Sequence, residues 1–512
     1  MKKQSLIKGS LILVCASILT KFLGVFFRWP LIMLIGDEGL GYYQMTYPLY
    51  MLFIAIATGV PIAVSKLISE KNALGRRDEA FQVIKEALKV MVLLGMGTTL
   101  FLGGFSRQII SILKWDSKAY YSIIGICLAP FFIGFMTPLR GFFQGFQNMT
   151  PTATSQIIEQ IGRVFFGVGL AFLLLPKGIE YAAGGAAFGA AAGAFLAGIF
   201  LMAKYRRVKK ELGIRKVKSN YSIFNEIIKV ALPISFGAAV GSIMGVIDSV
   251  LVPQKLLQAG MDMKSATILY AQLTGKATVF TNIPMTLAIA LSASIIPIIS
   301  ELCVLKDKAQ LDNKINIAMK MCMLVALPCF LGLFFMAEPI MKLIFPGKSE
   351  GFMILKYLAI SIPFLVTTHI TTSVLQGTQY YYRPVINLII GCGIKVTLTM
   401  VLVPIPNINI YGAVIATIVS YAVVTILNIT YMKRKFKYKI DIIGAFIKPT
   451  IASLAMITGV MAIYIKSLEL TKNNVVSCLI SIFVGIIIYV VLVIVLKIIG
   501  FDDIKDKILS RK

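Results

Sequence analysis

Five basic side chains lie inside long apolar runs of the sequence: Lys21, Arg28, Arg163, Lys276 and Lys395. A cation in the apolar core of a bilayer costs at least about 2.5 kcal/mol, so it should face a counter-charge or a water-filled cavity. Such a cavity would suit an anionic ligand, and the planar guanidinium fits phosphate oxygens particularly well. The sequence therefore predicts a cationic cleft for an anionic cargo, with these five residues as its substrate-binding groups.

Two acidic side chains share these runs. Glu159 precedes Arg163 by four residues, so the two can neutralise each other on one helix. Asp248 can pair with one of the cations or bind a coupling Na⁺ or H⁺, and the sequence leaves both alternatives open. His369 is the only histidine, and a packed, hydrogen-bonded imidazole is favoured over a proton relay. Glu159 and Asp248 are thus candidate coupling-ion ligands or charge partners.

No catalytic motif accompanies these charges. The sequence has no HExxH, Walker or GxSxG motif, and its seven cysteines have no CxxC spacing. We therefore expect no catalytic residue, no metal site and no cofactor, apart from a coupling Na⁺ or H⁺. The cysteines are interpreted as small hydrophobic side chains.

The apolar runs that hold the charges define the elements of the fold. The chain has 512 residues, of which 58% are hydrophobic and 14% charged, and its mean hydropathy is +0.84. A membrane-spanning helix needs about 20 apolar residues, and this pattern excludes a soluble enzyme, a fibrous protein and a disordered chain. The sequence predicts an all-α integral membrane protein with fourteen transmembrane helices: 9–33, 44–69, 86–105, 119–142, 152–175, 181–203, 227–251, 268–300, 315–337, 353–376, 384–404, 410–432, 444–465 and 475–497.

The net charge of +28 is distributed unevenly between the two sides of this topology. Segments on the side of the termini hold 29 lysines and arginines, and the opposite loops hold 11. The positive-inside rule then predicts a multi-pass protein of the cell (plasma) membrane with both termini in the cytoplasm. Because topology explains most of the charge, we expect no nucleic-acid partner. The apolar stretch after Met1 lacks a cleavage site and is predicted to be a retained first helix.

Short matches recur in the same order in both halves of the chain. Gln144-Gly145-Phe146-Gln147 matches Gln376-Gly377-Thr378-Gln379, and each is followed by a proline. Two repeats with an even number of spans share one orientation and enclose a central cleft. The sequence thus predicts two pseudo-symmetric six-helix bundles around a central cleft, plus two C-terminal helices. The predicted organisation is an N-terminal bundle (1–203), a basic cytoplasmic linker (204–222), a C-terminal bundle (223–440), and two additional helices with a cytoplasmic tail (441–512).

The internal repeat predicts where two of the five basic residues lie relative to the cleft. Arg163 and Lys395 lie near the midplane of equivalent spans and are predicted to approach the cleft from opposite halves. Six other basic residues near span ends are interpreted as snorkelling side chains: Lys66, Lys89, Arg140, Lys229, Lys320 and Lys448. The small residues of 181–193 predict a face for tight helix packing.

Four segments of the chain form a fairly specific combination: TKFLGVFFRWPLI (20–32), GVPIAVSKLISEKN (59–72), PLRGFFQGFQNMTPTATSQIIEQIGRV (138–164) and ILYAQLTGKATVFTNIPMTLAIALSASIIPIISE (268–301). They resemble the stage V sporulation protein B family, in the polysaccharide-transport branch of the multidrug/oligosaccharidyl-lipid/polysaccharide (MOP) flippase superfamily. The resemblance implies fourteen helices in two bundles plus two extra helices. It also implies movement of undecaprenyl-pyrophosphate-linked saccharides, with lipid II the first choice, and a role in peptidoglycan or spore-cortex synthesis.

The resemblance extends to some functional residues and not to others. Lys21 and Arg28 occupy positions comparable to first-span arginines of relatives that flip lipid II, and Asp248 matches an aspartate linked to sodium in some relatives. Lys276 replaces a span-eight arginine at a shifted position. The twin arginine that follows a span-two proline in relatives is absent, because Pro48 precedes Leu49-Tyr50-Met51 here.

We therefore expect a flippase that moves its cargo from the inner to the outer leaflet by alternating access. Its partners would be the lipid bilayer and an anionic polyprenyl-pyrophosphate lipid. The first alternative is a cation-coupled multidrug exporter of the same superfamily. Organic cations would need acidic groups in the cleft, and the five bases there outnumber the two acids, which disfavours this alternative. The second is a membrane scaffold that recruits cell-wall synthases.

Overall fold

The computed structural model describes residues 6–213, 221–305, 307–436, 441–496 and 498, and within these it contains helices and no strand. Part of the predicted basic linker (214–220) and almost all of the predicted cytoplasmic tail lie outside the described residues. Residue contacts divide the chain into two compact units, Met1–Ala271 and Gln272–Lys512. The boundary thus falls within predicted span eight, because the helix after the linker packs with the first unit; the domain limits drawn from the sequence stay a prediction.

Within the described residues, the first unit contains ten α-helices. They are α1 (Leu6–Ala57), α2 (Gly59–Ala73), α3 (Arg77–Gly104), α4 (Ser106–Leu113), α5 (Tyr120–Ile126), α6 (Ala129–Gly145), α7 (Thr150–Leu174), α8 (Ile179–Glu211), α9 (Tyr221–Gln258) and α10 (Met263–Ala271).

The second unit opens with a π-helical segment, Gln272–Ala277, and its described part contains nine α-helices. They are α11 (Thr278–Leu305), α12 (Lys308–Phe335), α13 (Ala337–Ile344), α14 (Phe352–Leu358), α15 (Ile362–Gly377), α16 (Tyr382–Leu402), α17 (Ile410–Phe436), α18 (Lys448–Thr471) and α19 (Asn474–Val495). A core of aliphatic side chains joins α11, α12 and α15.

The described residues contain eleven helices that are long and apolar enough to cross a membrane. The first of these, Cys15–Ala73, covers most of predicted span one and all of predicted span two. The loop expected between these spans at 36–43 is wrong for 37–43, which are helical: two helical stretches meet at Gly36, whose φ of 66° is not helical. Only glycine adopts this conformation readily, so a kink replaces the loop. The all-helical, multi-pass character is confirmed, and the count of fourteen stays a prediction.

Two pairs of elements share local geometry at corresponding places in the repeat. Helices α3 and α12 each have 28 residues, and each is followed after one residue by an eight-residue helix. The joining residues are Phe105 (φ −103°, ψ 15°) and Met336 (φ −103°, ψ 17°). Equivalent backbone breaks at equivalent positions support the internal repeat read from the sequence. The symmetry of the complete bundles stays a prediction.

The matched glutamine segments end their helices in the same way. Gln147 and Gln379 have φ of 55° and 67°, in the left-handed region that side chains other than glycine seldom adopt. In both turns the glutamine amide donates to a carbonyl three residues earlier, and the next amide donates to one five residues earlier. This pattern closes a helix C-terminus. In the first unit it ends α6 and directs the chain into α7, which starts with Pro151 in its first turn.

Helix α7 packs closely on the small-residue face of α8, as the sequence predicts. The residues of α8 from Ala182 to Ala187 are buried, as are Gly189 and Gly193. A Cβ atom built on Gly162 of α7 would lie 2.9 Å from the Cα of Gly193. The absence of side chains therefore lets the two backbones approach, and this approach fixes the position of the polar residues on α7.

Candidate functional site

Helix α7 has a polar face within a largely apolar sequence. Gln156, Glu159, Gln160 and Arg163 recur every three or four residues and so share one side of the helix. Glu159 is 9% exposed and Arg163 is 8% exposed. Helix α7 also packs against α1 and α8, so this face is held inside the first unit.

Glu159 lies between two guanidinium groups. Arg140 Nη2 of α6 donates a hydrogen bond to Glu159 Oε2 at 2.9 Å, and Arg163 Nη2 lies 3.7 Å from Glu159 Oε1. Arg140 Nε also donates to Ser155 Oγ at 2.9 Å. Two cations against one carboxylate leave a formal net charge of +1. We refer to Arg140, Glu159 and Arg163 as the arginine–glutamate cluster.

The interpretation of Arg140 as a snorkelling side chain is wrong. Its side chain is 14% exposed and makes the shorter of the two contacts to Glu159. The expected pairing of Glu159 with Arg163 is present, but it is the longer contact. The sequence did not predict the contact of Arg140 with Glu159, because the two residues lie on different helices. Helix periodicity relates only residues of the same helix.

Arg163 is also held by a tyrosine. Its Nη2 donates to the hydroxyl of Tyr50, and its guanidinium carbon lies 5.5 Å from the centre of that ring. Tyr50 follows Pro48 on α1, in the stretch where the family resemblance leads to an expected arginine pair. At this position the phenol of Tyr50 contacts the guanidinium of Arg163. Tyr50 was not among the site residues predicted from the sequence.

Aromatic rings continue from Tyr50 along α1. The ring centres of Tyr47 and Tyr50 are 5.5 Å apart, those of Tyr43 and Tyr47 are 5.4 Å apart, and those of Phe27 and Tyr43 are 6.1 Å apart. Arg163 is thus connected through Tyr50 to a row of aromatic side chains along α1 within the first unit.

Several buried polar atoms of α1 and α7 have no hydrogen-bond partner among the described residues. They are Arg163 Nε and the side-chain oxygens of Gln44, Gln156 and Gln160. A buried polar group without a partner costs about 1–3 kcal/mol. Among the described residues, one donor of Arg163 and three amide oxygens are therefore buried without a partner at this cost.

The remaining candidates of the first unit lie on α1 and α9. Lys21 is exposed, Arg28 is half-buried, and Asp248 on α9 is half-buried. All three take part in interactions of their own. Helices α1 and α9 pack together, which places these three charges on adjoining elements.

Lys276 is in the π-helical segment of the second unit and is 0% exposed. Its Nζ donates to the backbone carbonyls of Lys348 (2.7 Å) and Glu350 (3.3 Å) and lies 5.6 Å from the ring centre of Phe345. In this conformation Lys276 holds the loop between α13 and α14. Its predicted role as a substrate-binding cation stays a prediction.

Lys395 is half-buried on α16 of the second unit. Because Arg163 belongs to the first unit and Lys395 to the second, their convergence on one cleft also stays a prediction. Among the described residues, no group of three His, Cys, Asp or Glu side chains is arranged to hold a metal ion.

Comparison with known sequences identifies relatives over most of the chain. The profile of the family described as polysaccharide biosynthesis protein matches residues 6–303. Stage V sporulation protein B of Bacillus subtilis (strain 168) is 30% identical, over 86% of this chain and 86% of that protein. Lipid II flippase MurJ of the same organism is 27% identical, over 91% of this chain and 89% of that protein.

Solved structures with the same fold include two transporters. Lipid II flippase MurJ in an inward closed conformation matches with a TM-score of 0.72 and 19% identity, over 95% of this chain and 98% of that one. An inward-facing multidrug resistance MATE family transporter of the MOP superfamily matches with a TM-score of 0.71 and 16% identity, over 81% and 94%. At these identities the likeness extends to the fold alone.

Proposed function

The chain belongs to the stage V sporulation protein B family of the MOP flippase superfamily, and on this premise we propose that it flips an undecaprenyl-pyrophosphate-linked saccharide across the membrane. Lipid II, the precursor of peptidoglycan and spore cortex, is the proposed cargo. The direction is from the inner to the outer leaflet, by alternating access. The relatives that support this proposal include a protein named as a lipid II flippase. A transporter of this kind needs no catalytic residue.

The arginine–glutamate cluster carries the proposal. It is a buried group of two guanidiniums and one carboxylate with a net charge of +1. A buried, unbalanced cation is costly without an anionic ligand, and bidentate guanidinium contacts favour phosphate oxygens. A pyrophosphate is therefore a ligand that matches both the charge and the geometry of these donors.

Arg163 is the member of the cluster best suited to bind the pyrophosphate. Arg140 is engaged by Glu159 at 2.9 Å and by Ser155. Arg163 has a looser contact of 3.7 Å to Glu159 and a neutral tyrosine acceptor, and its Nε has no hydrogen-bond partner within the part of the chain that the structure describes. A phosphate offers the guanidinium a full counter-charge and two parallel hydrogen bonds, whereas the neutral phenol offers one acceptor. A pyrophosphate would thus displace the Tyr50 hydroxyl, while Glu159 keeps Arg140 in position.

The test is reconstitution in vesicles with labelled lipid II, in which flipping is measured as protection from an external reagent, with and without a sodium gradient. Arg163→Gln should abolish flipping, because the cluster then has no net charge. The double variant Arg163→Gln/Glu159→Gln restores the net charge through Arg140 and should regain part of the activity. Lys66→Ala is the control, since Lys66 is an exposed base paired with Glu70 at 3.9 Å.

Two results would contradict the proposal. Full flipping by Arg163→Gln, with normal protein yield, would remove the cluster from substrate binding. Export of a cationic dye by the same vesicles, without movement of lipid II, would favour the multidrug exporter instead.

A further inference from the structure

A groove of about 460 Å³ lies in the first unit where α6, α7 and α8 meet. Phe143 of α6 and Phe200 of α8 contribute aromatic surface, and Thr150 and Thr154 contribute hydroxyls from the start of α7. Small-molecule sites typically have volumes of about 300–1,000 Å³. The groove and the arginine–glutamate cluster share helices α6 and α7, but none of the cluster's three residues lines the groove.

One face of α8 supplies the charge of the groove. Phe200, Lys204, Arg207 and Glu211 recur every three or four residues and all line it. Lys204 Nζ lies 5.9 Å from the ring centre of Phe200, so the lysine extends over the aromatic surface. Two bases against one acid give this face a positive balance that suits an anion.

Arg207 is paired, but weakly. Its Nε lies 3.2 Å from Glu211 Oε1, and both side chains are exposed. Exposed ion pairs of this kind contribute little, because solvent screens them. A phosphate group can therefore compete with Glu211 for the Arg207 guanidinium.

The position of the groove along α8 indicates where such an anion comes from. Residues 179–203 of the helix are almost entirely apolar, and Lys204 begins a run of basic residues. This change of composition marks the boundary between the hydrocarbon core and water, where lipid headgroups lie. Aromatic side chains are also favoured at this depth. A free anion would use only the basic side chains of the groove, whereas a lipid would use the basic side chains and the aromatic surface.

We propose that this groove is a binding site for the phosphate headgroup of an anionic glycerophospholipid. Lys204 and Arg207 contact the phosphate, Thr150 and Thr154 provide hydrogen-bonding hydroxyls, and the two phenylalanines contact the glycerol and the upper part of the chains. The site does not depend on the proposed transport activity, because its lining and the arginine–glutamate cluster have no residue in common.

The test uses purified full-length protein in detergent, titrated with phosphatidylglycerol, with bound lipid counted by native mass spectrometry. Lys204→Ala/Arg207→Ala should weaken the tightest binding event by about 25-fold, since each cation near an anionic headgroup contributes about fivefold. Arg206→Ala/Lys210→Ala is the matched control: it removes the same charge from the same part of α8, but neither residue lines the groove. The control should bind within twofold of wild type.

Two further measurements sharpen the result. Glu211→Gln should tighten binding by about two- to fivefold, because the competitor for Arg207 loses its charge. Millimolar inorganic phosphate should leave the lipid bound, and complete displacement would identify a free-phosphate site instead. Equal weakening by both double variants would indicate general attraction to the basic segment and overturn the proposal, as would unchanged binding by Lys204→Ala/Arg207→Ala. Equal melting temperatures of the variants exclude misfolding as the cause.

Discussion

A carboxylate shared by two guanidiniums has unequal partners in this protein. Arg140 makes a short, hydrogen-bonded contact to Glu159 and a second bond to Ser155, whereas Arg163 makes a longer contact. The first pair resembles a structural ion pair that joins α6 to α7. The second leaves a guanidinium partly uncommitted, which is what a reversible binding site requires.

This inequality predicts different costs for the two arginines. Arg140→Ala removes the close partner of a buried carboxylate, and such losses cost about 3–5 kcal/mol. Arg163→Ala leaves the Arg140–Glu159 pair intact and should cost clearly less. Thermal unfolding in detergent measures both variants, and Arg140→Ala should melt at the lower temperature. The reverse order would mean that Arg163, not Arg140, is the structural member of the pair.

Sequence reasoning found part of this cluster for a physical reason. Glu159 and Arg163 are one turn apart, so their proximity follows from helix periodicity alone. Arg140 and Tyr50 reach the cluster from other helices, and their contacts depend on tertiary packing. Lys276 is a similar case, because its partners are backbone carbonyls of a loop about seventy residues away. Every residue has a backbone carbonyl, so the sequence pattern cannot predict which carbonyls Lys276 contacts.

At the scale of elements, the contact between α7 and α8 sets the depth of the cluster. Glu159 and Arg163 lie on the stretch of α7 that faces Gly189 and Gly193 of α8. The small-residue run allowed this packing to be predicted, since few other arrangements use so many consecutive small residues. The kink at Gly36 was not predicted, because Gly-Asp-Glu-Gly-Leu-Gly has the composition of a loop.

The close contact between α7 and α8 can be tested with a matched pair of glycine substitutions. Gly193→Ala would place a Cβ against the carbonyl oxygen of Glu159, and overpacking of this kind costs about 1–3 kcal/mol. Gly169→Ala on α7 meets nothing within 4 Å and should be neutral or stabilising by up to about 1 kcal/mol, as expected of alanine in a helix. Melting temperatures and flipping should both fall for Gly193→Ala alone. Equal behaviour of the two variants would show that this contact does not position α7.

A second contact between helices makes the stability of the fold depend on pH. Lys264, at the start of α10, lies 2.9 Å from Glu38 of α1. The hydrogen bond to this carboxylate raises the pKa of Lys264 above its ordinary value of 10.5. Because the pKa is raised on folding, the contribution to stability is complete below about pH 10.5 and is lost as the pH rises through the folded pKa.

Glu38→Gln should therefore return the pKa of Lys264 toward 10.5, as measured by NMR of the dimethylated lysine. It should also reduce the fall in melting temperature at alkaline pH. Glu338→Gln is the control, since it breaks a comparable pair with Lys342 (2.7 Å) on α13 and should leave Lys264 unchanged. An unaltered Lys264 titration in Glu38→Gln would mean that the two side chains do not interact in solution.

At the scale of the whole molecule, the sequence predicts orientation from charge alone. The positive-inside rule needs only the spans and the basic residues between them. Over the described residues the predicted spans fall mainly on helices, and the orientation itself stays a prediction. The division into compact units was harder to predict, because α9 packs with the first unit although it follows the basic linker. Packing partners of this kind depend on surface complementarity, which the order of spans does not specify.

Orientation decides which leaflet the groove on α8 faces, and labelling in intact cells tests it. Arg206→Cys lies in the basic run after α8's apolar part, and Glu469→Cys lies near the end of α18, on the predicted opposite side; both positions are exposed. A membrane-impermeant maleimide should label Glu469→Cys in intact cells and Arg206→Cys only after permeabilisation, with the wild-type chain and its seven cysteines as background. The opposite pattern would place both termini outside, and the basic groove would then face the outer leaflet.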